Sequence, residues 1–137
     1  MPSPFFETVA SAVESAIHDA ETELPADVVS VLQTAYANET SSVARGEYEN
    51  IFANLKIAKE RDVPICQDTG LIVLYITLPP EIPYSAELFE AAEEGVRRAT
   101  VSVPLRPNAV HPLSRKNSGD NCGEGMPAIH IRPGEKF

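Results

Sequence analysis

Leu71-Ile72-Val73-Leu74-Tyr75-Ile76-Thr77-Leu78 is the stretch that decides the fold. It is rich in β-branched and aromatic residues and apolar almost throughout, so it reads as a strand buried on both faces rather than one half in water. Pro79, Pro80 and Pro83 end it. Immediately before it stands Val63-Pro64-Ile65-Cys66-Gln67-Asp68-Thr69-Gly70. There Pro64 disfavours helical geometry at Val63, so a helix arriving from the amino-terminal side stops.

Working outward toward the amino terminus, the period changes from strand to helix. Val9, Val13, Ala16, Ile17 and Ala20 recur at three- and four-residue spacing from Phe5 to about Glu23, which predicts an amphipathic helix. Pro25, suited to a first helical turn, introduces a second helix with Val28, Val29, Leu32, Ala35 and Tyr36 on one face and Asn38 near its end. A third helix starts near Ser41 or Ser42, carries Ile51, Phe52, Leu55 and Ala58 inward, and keeps Lys56, Lys59, Glu60 and Arg61 in water. Toward the carboxyl side, Ser85 precedes a fourth helix with Leu88, Phe89, Ala92, Val96 and Ala99 as its apolar stripe. Arg97 and Arg98 near its end suit the helix dipole and read as structural. A Pro-, Asn-, Ser- and Gly-rich stretch from Pro104 to Pro127 has no sustained period and predicts a long loop, after which Ala128-Ile129-His130-Ile131 reads as a strand. The fold class is therefore mixed α/β. Residues 1–62 form a helical layer, residues 63–137 a strand, helix, loop and strand, and the whole reads as a single unit.

The net charge of −9, from 20 acidic against 11 basic side chains, argues against a broad cationic surface, so no nucleic-acid partner is expected. A few arginines in a cleft can still bind a small carboxylate. No stretch approaches the roughly 20 apolar residues of a membrane span, and the first residues lack a secretory pattern, so no membrane partner is expected. Two cysteines, Cys66 and Cys122, without a C-x-x-C pair fit a reducing compartment, and a cytoplasmic location is expected.

Cys66-Gln67-Asp68 puts a thiol, an amide and a carboxylate in succession at the mouth of the strand, with Gly70 permitting tight backbone geometry. Spacing alone leaves three readings of this segment open. Cys66 can be a packed small hydrophobe with Asp68 forming a turn. Asp68-Thr69-Gly70 is also the tripeptide that carries half of an aspartic-protease dyad, although Leu71 follows where Ser or Thr is usual and helices dominate. Or the three groups form a reactive site.

Four motifs in order carry a resemblance. These are Val63 to Gly70, Gly95-Val96-Arg97-Arg98-Ala99-Thr100, Pro104-Leu105-Arg106-Pro107-Asn108, and Arg115-Lys116-Asn117-Ser118-Gly119-Asp120-Asn121. Together they resemble the α subunit, or N-terminal domain, of class I iron–sulfur fumarate hydratases and L-tartrate dehydratases. The resemblance spans the second half of the chain.

It implies a hydro-lyase that reversibly hydrates fumarate to malate, with L-tartrate as the nearest alternative substrate. It also implies a [4Fe–4S] cluster on three cysteines, Cys66 being the first, with one iron left to act as a Lewis acid. Gln67 and Asp68 would face the substrate, Asp68 in an acid–base role. Arg106 would pair with a substrate carboxylate, its planar fork suiting bidentate contact. The family's remaining two cluster cysteines and Gly-rich substrate loop do not occur here, so the chain reads as an incomplete part of the subunit, inactive by itself. It would work with a β subunit or C-terminal domain in an oligomer. A stand-alone interaction module without metal is the alternative of another kind.

The run from Lys116 to Asn121 lacks the full spacing of an EF-hand and is expected to form side-chain-bonded turns that shape the cleft. Cys122 reads as a bystander. Among His18, His111 and His130, only His130 is expected near a pocket.

Overall fold

The computed structural model describes residues 1–66 and 70–134. Helix α1 runs over Pro4–Thr22. It starts where Ser3 accepts the Phe6 amide at 3.0 Å and Pro4 fills a first-turn position. Helix α2 covers Ala26–Asn38 and helix α3 covers Ser42–Arg61. Strand β1, Val73–Leu78, is followed by helix α4, Ala86–Ser102, and strand β2, Ala128–Pro133. The two strands pair in parallel, Val73 opposite Ala128 through to Leu78 opposite Pro133, with α4 in the crossover between them.

The core lies between α1, α4 and one face of the strands. Val13 and Ile17 of α1 meet Ala92, Val96 and Ala99 of α4, joined by Val103, Leu105 and Cys122 from the following loop. Leu74, Ile76 and Ile129 pack onto this cluster from the strands. Gly95 sets how closely the two helices approach: a Cβ there would lie 2.6 Å from the Ala10 carbonyl oxygen and 2.7 Å from Val13 Cβ. Ion pairs reinforce the same interface, Arg98 bonding both carboxylate oxygens of Glu7 at 2.9 and 3.2 Å.

Three sequence expectations change. The run from Leu71 to Leu78 is not covered on both faces, since Val73 (45% exposed) and Tyr75 (63%) look away from the helices. An apolar run shows that a strand prefers to be covered and does not say what covers it. The inward faces predicted for α2 and α3 are also mostly open, because α2 has no buried residue and α3 only Ala58. These two helices instead share an aromatic cluster of Tyr36, Tyr48 and Phe52, with the Arg45 guanidinium 4.2 Å from the Tyr36 ring centre. Finally, α4 continues to Ser102, so Arg97 and Arg98 lie a turn before its end. Acidic neighbours hold them there rather than the helix dipole, Arg97 through Glu93 and Asp120, Arg98 through Glu94 and Glu7.

Candidate active site

The approach to Cys66 is tied down on two sides. Helix α3 ends at Asp62 in the left-handed region (φ 55°), its amide donating to Ala58 O. The Asp62 carboxylate meets His18 Nε2 of α1 at 2.7 Å. Three residues on, the Ile65 amide donates to Glu21 O of α1 at 2.8 Å, and Asn54 Nδ2 of α3 donates to Ile65 O at 2.7 Å. Both backbone groups of the residue before Cys66 are therefore fixed, and Cys66 itself is exposed. Gln67 and Asp68, the expected substrate-facing pair, lie outside the described residues, as does Thr69. On the far side Gly70 adopts φ 66°, a conformation that favours glycine, and leads into β1.

Arg106 is exposed, but its loop is anchored. Val103, Leu105 and Ala109 are buried on either side of it. Asn121, only 3% exposed, is the hub. Its Oδ1 accepts the Asn108 amide at 2.7 Å, and its Nδ2 donates to Thr100 Oγ1 at 3.1 Å and Arg106 O at 3.3 Å. Asn117 adds a second tie, donating to Pro107 O at 2.8 Å while accepting the Gly119 amide at 2.8 Å. The run from Lys116 to Asn121 thus forms side-chain-bonded turns that shape the Arg106 loop. Asp120 is committed as well, accepting from the Cys122 amide at 3.0 Å and from Arg97 Nε at 3.3 Å. Burial pushes its pKa up, but hydrogen bonds from Ser118 and Cys122 and the Arg97 charge outweigh that and hold it below the usual value.

Parallel pairing sets the starts of the two strands side by side. Gly70 leads to the start of β1 and Pro127 to the start of β2, where the Ala128 amide donates to Ile72 O at 3.1 Å.

Cys122 lies in the core rather than on a surface. It is 5% exposed, its thiol points at Glu93 O at 3.5 Å, and burial pushes its pKa up to about 11. His18 serves the Asp62 tie, and the two aspartates Asp62 and Asp19 raise its pKa. His111 Nδ1 accepts the Leu113 and Ser114 amides at 3.2 and 3.1 Å. His130, expected near a pocket, is instead exposed on the open sheet face and stacked on Tyr75 with ring centres 5.0 Å apart.

Among the described residues no group of three His, Cys, Asp or Glu side chains could hold a metal ion. Cys66 is exposed and directly follows Ile65, whose backbone is tied to α1 and α3. Among the same residues no helix is long and apolar enough to cross a membrane.

A family model described as Fumarate hydratase (Fumerase) matches residues 10–137. The putative L(+)-tartrate dehydratase subunit alpha of Methanocaldococcus jannaschii is 39% identical over 125 residues, which is 90% of this chain and 44% of that protein. L(+)-tartrate dehydratase subunit alpha of Escherichia coli K12 is 38% identical over 108 residues, 79% of this chain and 36% of that protein. The chain thus spans less than half the length of these relatives.

Proposed function

Because the chain belongs to the fumarate hydratase family, we propose that it forms part of a hydro-lyase that reversibly adds water to fumarate to give malate. The observation that carries this reading is the exposed Cys66 directly after the tied Ile65, on the segment that enters β1, together with the Asn121-anchored loop that bears Arg106. Arg106 binds a substrate carboxylate through its fork of donors, and the buried Asn121 hub spares it much of the cost of ordering its loop. Gln67 and Asp68 face the substrate, and Asp68 takes the acid–base role that water addition requires. Cys66 supplies one thiolate to a [4Fe–4S] cluster, which when bound contributes Lewis-acid assistance to loss of the hydroxyl group. The two other thiolates, and a β subunit or C-terminal domain with further substrate contacts, complete the assembly in a reducing, cytoplasmic setting.

A second reading has its own support: the two relatives described above are named as tartrate dehydratase α subunits, which favours L-tartrate as substrate. The same experiment separates the two. The complete assembly is prepared anaerobically and assayed with fumarate, malate and L-tartrate, with and without Arg106→Ala. The variant should lose roughly 10- to 100-fold in apparent affinity for the preferred dicarboxylate, the worth of one charge-assisted pair, while retaining its iron. Unchanged affinity would make Arg106 structural, and no turnover of any of the three compounds would remove the assignment.

A further inference from the structure

One edge of β1 has no strand against it among the described residues. The Ala128 amide donates to Ile72 O and the Gly134 amide to Leu78 O. Alternate residues of a parallel strand address opposite neighbours, so the even-numbered backbone groups face β2, and those of Val73, Tyr75 and Thr77 face the other edge. Among the described residues, β2 is the only strand beside β1.

Along that edge runs an open groove of about 770 Å³, walled by β1 and floored by α1 through Phe5, Val9, Ala12, Ala16 and Ala20. Ala12, Ala16 and Ala20 follow one another at four-residue spacing and are exposed, leaving room for a backbone to lie close over the helix. The wall offers backbone donors and acceptors, so an occupant that satisfies it must itself be extended. A helix or a small apolar molecule would leave those groups without bonds.

We propose that this edge receives an additional β-strand, supplied by the part of the family's α-subunit fold outside the stretch matched here, seated on the alanine face of α1. The relatives carry more than half of their length outside that stretch. An almost uniformly apolar parallel strand is the kind found inside larger, covered sheets rather than at an exposed margin. The inference uses family membership and not the proposed reaction, so the assay results above leave it untouched.

The test compares the 137-residue chain with a hybrid in which it replaces the matched stretch of the M. jannaschii subunit. Amide exchange is read residue by residue. In the chain alone, the Val73, Tyr75 and Thr77 amides should exchange freely while Leu74 and Ile76 are protected. In the hybrid those three should slow by at least roughly 100-fold. Ala16→Glu, exposed in the chain, should leave its melting temperature unchanged yet destabilise the hybrid.

Continued free exchange at the three positions in a folded hybrid would overturn the proposal, as would indifference of the hybrid to Ala16→Glu. Protection already present in a monomeric chain would show that the edge is not open, and protection accompanied by dimerisation would assign it to a second copy. Both results also count against the proposal. Should the hybrid not fold, the intact M. jannaschii subunit, read at the strand aligned with β1, supplies the same comparison.

Discussion

Replacing Gly95 by alanine sets two effects of opposite sign against each other. Inside a helix, glycine to alanine ordinarily stabilises by about 1 kcal/mol, because less backbone freedom is lost on folding. At Gly95 the added methyl would sit 2.6 Å from the Ala10 carbonyl oxygen and 2.7 and 2.9 Å from Val13 Cβ and Cγ1. The first of these is backbone of α1 and cannot rotate aside, so α1 and α4 must separate along the interface that buries Val13, Ile17, Val96 and Ala99. Overpacking of this kind costs up to about 3 kcal/mol, and after the helical gain a net loss of about 2 kcal/mol remains. Gly46, inside α3, is the control, since a Cβ there meets nothing within 4 Å and the change to alanine should stabilise by roughly 0.5–1 kcal/mol. Urea denaturation of both variants beside the parent protein should therefore give shifts of opposite sign, about 3 kcal/mol apart. If Gly95→Ala stabilises as much as Gly46→Ala does, the close α1–α4 approach is wrong.

Other substitutions probe the two loops. Asn121→Ala removes the acceptor of the half-buried Asn108 amide and one of the partners of the Thr100 hydroxyl, and should cost roughly 2 kcal/mol in denaturant unfolding; a loss below about 0.5 kcal/mol would contradict its role as a hub. Asn54→Ala should speed alkylation of Cys66 by iodoacetamide, because the Ile65 carbonyl loses its tie to α3, and an unaltered rate would contradict the clamp. The His18 tie should appear as pH dependence. Because Asp62 and Asp19 raise the pKa of folded His18 above its ordinary value of 6.5, its contribution to stability is complete below that pH. It is lost as pH rises through the folded-state value. Parallel stability curves for the parent and His18→Gln across this range would refute it.

Much of the architecture was readable because helices announce themselves by period. Val9, Val13 and Ile17 on one stripe, and Leu88, Ala92, Val96 and Ala99 on another, marked the two helices that form the core. Periodicity did not reveal that α2 and α3 would turn so little of their apolar faces inward, since it gives a face and not its neighbour. The strand from Val73 to Leu78 shows the same limit, as composition asks for cover that these residues do not provide. Around the site, the motifs singled out Cys66, Arg106 and the turn-forming run that ends at Asn121, but gave no sign that Asn54 holds the Ile65 carbonyl or that Asn121 is the buried hub of its loop. A hydrogen bond from Asn54 to a residue 11 positions away leaves no local pattern. Asn121 sits in a turn-rich run where asparagine is ordinary. Its burial, which separates it from a surface turn residue, depends on packing against the end of α4.

Cys66 is proposed above as a cluster ligand in a hydro-lyase, and iron and sulfide content reads that role out. The complete assembly and its Cys66→Ser variant are reconstituted anaerobically with ferrous iron and sulfide, and metal content and the visible charge-transfer absorption are measured side by side. A cluster is expected in the parent assembly, with loss of most iron and of that absorption in the variant and the fold retained by circular dichroism. Equal iron and sulfide in both proteins would contradict it.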